Sequence, residues 1–286
     1  MTTAVDQYWT RHTVRAKRFR SRRASERYLE WRFDQYPLFR EFSGLWGAHD
    51  GDVILDYGCG PGNDVTGLAI NTSARKIIGF DVSQTALDLA AARLALHGVG
   101  DRVQLLRGAD DDPAIPLDDD SVDHVNCQGV LHHTSHPGAI VAELARVLRP
   151  GGTATIMVYN RSSLWFHLYV AYERMIVEDA FGDVDVHEAF RRSTDGPECP
   201  ISRSYPPQEF AALCVEAGFA VDYAGGYLSK RELQVLERSW AKALVDPRLD
   251  SEHRDFLRAL TFDHAGRPMH AGYHAGIGGT YRLQLP

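Results

Sequence analysis

The feature that most constrains the fold is a short apolar run that leads into three closely spaced glycines. Val53–Tyr57 has the length and composition of a buried strand, and Gly58, Gly60 and Gly62 follow it directly. The pattern over 64–69 then predicts a helix that begins at once. A strand, a tight turn and a helix in this order favour a site where backbone N–H groups and a helix N-terminus face a nucleotide. The glycines alone do not choose the nucleotide.

Apolar runs and helical patterns alternate through the following part of the chain. Ser83 is the predicted N-cap of an alanine- and leucine-rich helix that runs to about His97. A helix over 139–148 is predicted to stop at the Pro-Gly-Gly sequence of 150–152. Strands are predicted over 76–81, 102–106, 121–128 and 153–159. This alternation predicts a parallel sheet with right-handed crossovers, helices on both faces and a ligand beyond the carboxyl ends of the strands.

The regions outside this alternation divide the chain. Residues 1–50 are predicted to form a helical N-terminal arm before a ligand-binding core over 51–160, and 161–205 is predicted to form a helical cap insertion. The remainder, 206–286, is predicted to complete the sheet and to carry a helical insertion over 229–260. The individual elements predicted in these regions are helices over 164–180 and 207–217 and strands over 219–223 and 278–285.

The charge of the chain narrows the choice of partners. A net charge of -7 and a pI near 6.0 argue against a protein that covers nucleic acid with its whole surface, because such proteins need an excess of lysine and arginine. The arginine-rich stretch 11–27 is a local exception. We interpret it as a solvated amphipathic arm, with an anion or nucleic-acid contact as the alternative. No signal segment precedes it, and no apolar run approaches the length of a membrane span, so we expect no membrane association.

The spacing of the cysteines and histidines does not favour a metal site. The four cysteines are scattered without a Cys-x-x-Cys pair, which suits neither a zinc site nor a disulfide framework. His264, His270 and His274 are predicted to belong to a glycine-rich loop that leads to the last strand, with a metal site as the less favoured alternative. A reducing cytoplasm is therefore the expected location.

Acidic residues discriminate among the possible nucleotides. Asp56 stands directly before the turn, where a carboxylate repels a pyrophosphate but favours a ligand with an ammonium and a sulfonium group. This position disfavours NAD and favours S-adenosylmethionine. Asp81 ends the second strand, where a carboxylate can accept both ribose hydroxyls of either ligand. Asp110 and Asp111 lie where an adenine amino group would point, with an acidic solvated turn as the alternative.

Three motifs together resemble a known family. They are Ile54-Leu55-Asp56-Tyr57-Gly58-Cys59-Gly60-Pro61-Gly62, the acid at Asp81, and Val147-Leu148-Arg149-Pro150-Gly151-Gly152. In this order and at this spacing they closely resemble the class I S-adenosylmethionine-dependent methyltransferases, over 50–160 and more loosely over 205–224 and 278–286. The resemblance implies an α/β fold with a seven-stranded, mostly parallel, doubly wound sheet, a helical N-terminal arm and helical cap insertions. It also implies S-adenosylmethionine as cofactor and S-adenosylhomocysteine as product.

The resemblance assigns cofactor-binding roles to residues of the core. The backbone of Gly58 and Gly60 would contact the methionine moiety, while Val82 would contact the adenine face. The family usually has a single acid where this chain has three over 110–112, so the register there is open. The cofactor-binding residues implied are Asp56, Gly58, Gly60, Gly62, Asp81, Val82, Asp110 or Asp111, and the backbone carbonyl of Cys127 or Gln128.

The fourth strand continues into His133, directly over the expected methyl group. His133 could deprotonate an acceptor hydroxyl or amine, since histidine titrates near neutral pH. The alternative is a histidine hydrogen-bonded to backbone that only shapes the pocket, because methyl transfer from a sulfonium often needs little beyond alignment and desolvation. The candidate substrate-binding residues are Tyr8, Trp9, Tyr159, Asn160, Arg203 and Tyr205.

The function predicted from these features is methyl transfer to a hydroxyl or amine of a small molecule. A sugar, nucleoside or natural product, as in secondary metabolism, is favoured because the sequence shows no RNA-binding module. Nucleic acid is thus an unfavoured partner. Methylation of RNA or protein and a non-catalytic protein that binds S-adenosylmethionine are the alternatives, and the charged helices of 229–260 could mediate a homodimer.

Overall fold

Two β-sheets are present in the computed structural model, which describes residues 3–14 and 17–286. The strands are β1 (Val53–Tyr57), β2 (Lys76–Asp81), β3 (Val103–Arg107), β4 (Val122–Gln128), β5 (Leu148–Tyr159), β6 (Ala220–Tyr227), β7 (Thr261–Phe262), β8 (Pro268–His270), β9 (Tyr273–His274) and β10 (Gly278–Gln284). The main sheet has seven strands in the order β3-β2-β1-β4-β5-β10-β6. The predicted seven-stranded α/β fold is therefore confirmed.

The main sheet is parallel except at β10. β1 pairs in parallel with β2 and with β4, and β4 pairs in parallel with β5. β10 runs antiparallel to both β5 and β6. The chain moves outward from β1 to β2 and β3 and then crosses to the other side at β4, so the strand order reverses between β1 and β4. In open α/β sheets ligands bind at this reversal, beyond the carboxyl ends of the strands.

Helices cover both faces of the main sheet. The α-helices of the described residues are α1 (Ala4–Arg11), α2 (Arg22–Gln35), α3 (Phe39–Ser43), α4 (Asn63–Asn71), α5 (Gln84–His97), α6 (Pro137–Val147), α7 (Val186–Thr194), α8 (Pro207–Glu216), α9 (Lys230–Val245) and α10 (Ser251–Arg258). Neighbouring residues of β1 belong to different cores, since Leu55 packs with residues of α6 and α8 while Ile54 packs with residues of α4 and α5. Burial on both faces explains why the strand is apolar without interruption.

The ends of α5 follow the sequence signals. The Ser83 side chain accepts the N–H of Ala86 at the start of the helix, and Gly98 ends it with a φ of 68°. A side chain other than glycine is strained at such a φ. The predicted N-cap is thus confirmed.

The boundary between α6 and β5 differs from the prediction. α6 ends at Val147, and β5 already begins at Leu148, so the Pro-Gly-Gly sequence of 150–152 lies inside the strand. A residue that precedes proline is driven into extended conformation, which affects Arg149. The helix therefore stops before the proline rather than at it.

The regions after β5 differ more from the prediction. The helix predicted over 164–180 is a π-helix over Trp165–Val177, in which the N–H of Glu178 donates to the carbonyl of Glu173, five residues earlier. α7, α9 and α10 pack on it. The segment that contains the three histidines, predicted as a loop, forms the small sheet of β7, β8 and β9. Across the described residues, no helix is long and apolar enough to cross a membrane.

Glu232 is a buried carboxyl of α9 that contacts the start of the π-helix. Its Oε2 accepts the N–H of Ser229 at 2.7 Å and the Ser229 hydroxyl at 2.8 Å, and its Oε1 accepts the N–H of Trp165 at 3.1 Å. The residue is fully buried. Burial raises the pKa of Glu232 to about 7, although the hydrogen bonds oppose this shift.

We expect Glu232→Gln to change the pH dependence of stability. A carboxyl whose pKa rises on folding is penalised in its ionised form, so the folded state loses stability as the pH rises from 4.5 to about 7. At roughly 1.36 kcal/mol per pKa unit, the loss is about 3 kcal/mol. Urea unfolding across this range should show the free energy of unfolding of the wild type falling relative to that of the variant. The control is Glu237→Gln, an exposed position on α9. A wild-type-to-E232Q difference that stays constant with pH would contradict the assignment.

Candidate functional site

A cavity of about 300 Å³ lies beyond the carboxyl ends of β1, β2 and β4, where the strand order reverses. The turn after β1, the end of β2, the end of β4, α1 and the cap all contribute to its walls. The lining residues that matter below are Trp9, Asp56, Gly58, Gly60, Asp81, Val82, Asp110, Gln128, His133, Tyr159 and Asp195. The cavity therefore lies where the alternation of the sequence predicts a ligand.

The glycine turn is held against the end of β2. Gly58 and Gly60 have φ values of 75° and 52°, in the left-handed region that favours glycine. The N–H of Gly58 donates to the carbonyl of Phe80 at 2.7 Å, and the N–H of Gly60 donates to the Asp81 carboxylate at 2.8 Å. Both glycines line the cavity, and their contact with the methionine moiety of a ligand stays a prediction.

Gly62 has a different environment from the other two glycines. It is the N-cap of α4 and lies outside the cavity lining. A Cβ atom built on Gly62 would lie 2.9 Å from the Cα atom of Ala90 on α5, whereas one built on Gly60 has no heavy atom within 4 Å. Gly62 thus allows α4 and α5 to pack closely, which differs from the cofactor contact predicted for it.

Two buried acceptor atoms at the cavity have no hydrogen-bond partner among the described residues. Asp56 accepts the side-chain amide of Asn126 through Oδ1 at 2.7 Å, and its Oδ2 is buried without a partner. Gln128 donates to the carbonyl of Thr155 at 3.1 Å, and its Oε1 is likewise unpartnered. Burial raises the pKa of Asp56 most strongly, and the nearby negative charge of Asp64 raises it further. A cationic group close to Asp56 would favour the ionised form of its carboxyl.

Asp81 closes the same end of the cavity. Its Oδ2 accepts the N–H of Gly60 and its Oδ1 accepts the N–H of Ser83, each at 2.8 Å. Burial raises the pKa of Asp81, while these backbone hydrogen bonds lower it. Because each carboxylate oxygen can accept more than one hydrogen bond, lone pairs remain for two hydroxyls of a ribose.

The sequence left two choices open, Asp110 or Asp111 and Cys127 or Gln128. In each pair one residue lines the cavity and the other does not. Asp110 lines the cavity and accepts the N–H of Ser135 at 3.0 Å, whereas Asp111 is exposed and lies outside the lining. Gln128 lines the cavity, whereas Cys127 is buried in the core. Asp110 and Gln128 are thus the members of each pair that line the cavity, while the ligand contacts predicted for them, a backbone carbonyl in the case of 127 or 128, stay predictions.

A network of polar groups forms the other end of the cavity. His133 Nδ1 is 2.8 Å from the carbonyl of Ile201, and His133 Nε2 is 3.7 Å from Asp195 Oδ1. The Tyr159 hydroxyl donates to Asp195 Oδ1 at 2.9 Å, and the Ser202 hydroxyl donates to Asp195 Oδ2 at 2.5 Å. Burial lowers the pKa of His133, against the opposing effect of Asp195. The ring is therefore neutral near neutral pH.

Sequence reasoning missed Asp195 as a site residue. It lies in the turn after α7, which the sequence marks only as rich in turn formers. Nothing in the sequence indicates that this turn reaches His133. The link is made by the cap, which folds back over the end of β5 and places the carboxylate beside Tyr159.

Several predicted substrate residues lie around the cavity rather than in it, although Trp9 and Tyr159 line it. The Tyr8 hydroxyl donates to the backbone carbonyl of Asp195 at 2.5 Å and so joins α1 to the cap. Asn160 follows the lining residue of β5 by one position, and its amide donates to a backbone carbonyl near β10 at 3.0 Å. Arg203 and Tyr205 line a separate cavity. These positions differ from the predicted pocket contacts.

His133, Asp195 and Cys199 bring potential metal ligands within 4.8 Å of one another. Each of these groups already has a hydrogen-bond partner, and the Cys199 thiol contacts the Ile201 carbonyl at 3.2 Å. Burial raises the pKa of the Cys199 thiol to about 11, which disfavours the thiolate that binds metal. The donor set is thus a poor fit for a metal ion.

The cavity is strongly acidic. Its described lining contains five carboxylates, those of Asp56, Asp64, Asp81, Asp110 and Asp195, and one arginine. That arginine, Arg32, pairs with Asp64 at 2.5 Å. A cationic nucleoside fits such a cavity, whereas a pyrophosphate is repelled.

The chain is similar to known methyltransferases. The family model described as "Methyltransferase domain" matches residues 55–156. Demethylmenaquinone methyltransferase of Symbiobacterium thermophilum is 30% identical over 194 residues, which cover 64% of this chain and 75% of that protein. The tRNA 5-carboxymethoxyuridine methyltransferase of Escherichia coli is 32% identical over 118 residues, which cover 41% of this chain and 44% of that protein.

The length of the match varies among relatives. Three curated relatives are covered by this chain over 45%, 25% and 37% of their own lengths. Among solved structures, an S-adenosylmethionine-dependent methyltransferase of Mesorhizobium loti superposes with a TM-score of 0.56 at 17% identity, covering 88% of this chain and 99% of that one. At this identity the likeness concerns the fold alone.

Proposed function

The chain belongs to the class I S-adenosylmethionine-dependent methyltransferases, and on that premise we propose that it methylates a hydroxyl or amine of a small molecule. S-adenosylmethionine supplies, when bound, a methyl group on a positively charged sulfur. The rest of this proposal concerns what the residues of this chain do around it.

We propose that one end of the cavity binds S-adenosylmethionine and the other end binds the methyl acceptor. The unpartnered oxygens of Asp56 and Gln128 receive the ammonium group, and Asp81 receives the ribose hydroxyls. Val82 and Asp110, which also line the cavity, hold the adenine. His133 and Asp195 stand at the acceptor end. The single observation that carries the assignment is the pair of buried, unpartnered acceptors, since buried polar groups are nearly always satisfied and a ligand ammonium would satisfy them.

The side chains that cover the acceptor end of the cavity favour a small methyl acceptor over a macromolecule. The Trp9 ring of α1 packs against the His133 ring, with 4.7 Å between their centroids, and Asp195 also lines this end of the cavity. His133 is 5% exposed. A folded RNA or protein would have to reach past both elements, and the acidic lining would repel the phosphates of RNA.

Methylation of RNA is the second candidate. The relative from Escherichia coli acts on tRNA, as its name states, and the arginine-rich stretch 11–27 is the part of this chain that could contact phosphate. Arg15 of this stretch lies outside the described residues.

A cytoplasmic location remains part of the proposal, supported by four buried cysteines that are free thiols. A homodimer through 229–260 stays a prediction.

The experiment separates these acceptors directly. Calorimetry is expected to show that S-adenosylhomocysteine binds and that NAD does not, because a pyrophosphate would meet the acidic lining. Methyl-labelled S-adenosylmethionine is then offered with pools of small alcohols, phenols and amines, with bulk tRNA, or with protein. Label is expected in a small-molecule pool. Label only in tRNA or protein would overturn the proposed acceptor class, and binding without transfer to any of the three would favour the non-catalytic alternative.

A further inference from the structure

The acceptor end of the cavity presents two hydrogen-bond acceptors side by side. His133 Nδ1 faces the carbonyl of Ile201 at 2.8 Å, and a carbonyl can only accept, so Nδ1 carries the proton. In the neutral ring Nε2 is then an acceptor. Asp195 Oδ1 lies 3.7 Å from it, which is too far for a hydrogen bond between the two.

The carboxylate of Asp195 is fixed in place without a cationic partner. The hydroxyls of Tyr159 and Ser202 each donate to one of its oxygens, at 2.9 and 2.5 Å. Within the described residues it forms no ion pair with lysine or arginine, and its side chain is 9% exposed. An ionised carboxylate at this depth is stabilised by a positive charge nearby.

These two acceptors discriminate between the acceptor groups of the proposed function. A hydroxyl carries one hydrogen, so it can satisfy His133 Nε2 or Asp195 Oδ1 but not both. An ammonium with two or more N–H bonds can donate to both, and its charge matches the carboxylate. The aromatic rings of Trp9 and Tyr159, which line the same end, also favour a cation.

We propose that the methyl acceptor is a small amine that binds as an ammonium ion between Asp195 and His133. The inference rests on the proposed function and specifies its substrate. The ammonium transfers one proton to His133 Nε2, and the freed nitrogen lone pair forms the bond to the methyl carbon. The electrons of the broken carbon–sulfur bond stay on sulfur. The methylated amine leaves as an ammonium ion, and the proton on His133 passes to solvent. Asp195 stabilises the cationic imidazole meanwhile.

Paired fragments test this inference on the protein loaded with S-adenosylhomocysteine. The pairs are benzylamine with benzyl alcohol, 2-phenylethylamine with 2-phenylethanol, and butylamine with butanol, measured by ligand-observed NMR and calorimetry. We expect at least one amine to bind about tenfold or more tightly than its alcohol, as a charge-assisted hydrogen bond predicts. N,N-dimethylbenzylamine, which has one N–H when protonated, should bind more weakly than benzylamine. An equal or opposite preference in all pairs, or no binding by any amine, would overturn the inference.

Two variants connect the preference to the carboxylate. Asp195→Asn keeps the size of the side chain but removes its charge, and the preference for amines should disappear. Glu198→Gln is the matched control, since Glu198 is a 75% exposed acid of the same cap segment. Both variants should bind S-adenosylhomocysteine as the wild type does, which shows that they fold. If the wild type binds S-adenosylhomocysteine but D195N keeps the amine preference, this inference fails and the proposed function stands. If the wild type does not bind S-adenosylhomocysteine, the proposed function itself fails.

Discussion

Asp81→Ala is expected to weaken the binding of S-adenosylhomocysteine by one or two hydrogen bonds to a charged group, about 1.5 to 3 kcal/mol each. The carboxylate lies partly buried at the end of β2, and each of its oxygens already accepts one backbone N–H at 2.8 Å. Asp81 lines the cavity, so its remaining lone pairs are available to the ribose hydroxyls in the proposed binding mode. If both hydrogen bonds are lost, the dissociation constant should rise by about two orders of magnitude or more, as measured by calorimetry.

The matched control is Asp111→Ala, which removes an exposed acid outside the cavity lining and should leave the affinity unchanged. Asp81→Ala also removes the acceptor for the N–H groups of Gly60 and Ser83, so its unfolding free energy must be measured beside its affinity. A folded D81A protein with unchanged affinity would show that the ribose binds elsewhere. A comparable loss in D111A would show that the effect comes from the net charge of the region.

Local signals predicted the glycine turn after β1 and the acid at the end of β2, both of which line the cavity, because each follows directly from the strand before it. The apolar run of β1 fixes where the glycine turn begins, and burial on both faces of the sheet fixes the strand. The end of β2 is set in the same way, which places Asp81 beside the turn. For such elements the period and length of the apolar pattern carry the geometry.

The acceptor end could not be predicted because it is assembled from distant segments. Asp195 comes from the turn after α7 and His133 from a short 3-10 helix after β4, and only tertiary packing brings their side chains to 3.7 Å. The direction of a side chain is equally hard to predict where a strand ends. Tyr159 and Asn160 are neighbours in sequence, yet the first lines the cavity and the second does not, because successive side chains of an extended chain point to opposite sides.

The Pro-Gly-Gly sequence of 150–152 shows a further limit. It is a strong breaker, and it was expected to separate a helix from a strand. It lies instead within β5, where Gly151 takes a φ of 77° and pairing with β4 is irregular. A Pro-Gly-Gly sequence indicates that a helix ends, but it does not indicate whether the strand that follows includes these residues.

The glycines of the turn allow packing and ligand contact to be separated by experiment. Gly62→Ala is expected to lower the free energy of unfolding by about 2 to 5 kcal/mol. An alanine at its φ of 80° is strained by roughly 1 to 2 kcal/mol. The Cβ of the introduced alanine would also lie 2.9 Å from both Cα and Cβ of Ala90. These two atoms are fixed to the backbone of α5, so they cannot move aside unless the helix shifts. Such overpacking costs about a further 1 to 3 kcal/mol.

Gly60→Ala supplies the matched control two residues earlier in the same turn. Its φ of 52° carries a similar strain, but no heavy atom lies within 4 Å of the added Cβ, so the loss should stay near 1 to 2 kcal/mol, roughly the strain alone. Urea unfolding of both variants measures the difference. Equal losses would mean that the contact between α4 and α5 adjusts without penalty, and Gly62 would then need another explanation. A larger loss in G62A would identify close packing of two helices, rather than contact with the cofactor, as the reason for the third glycine.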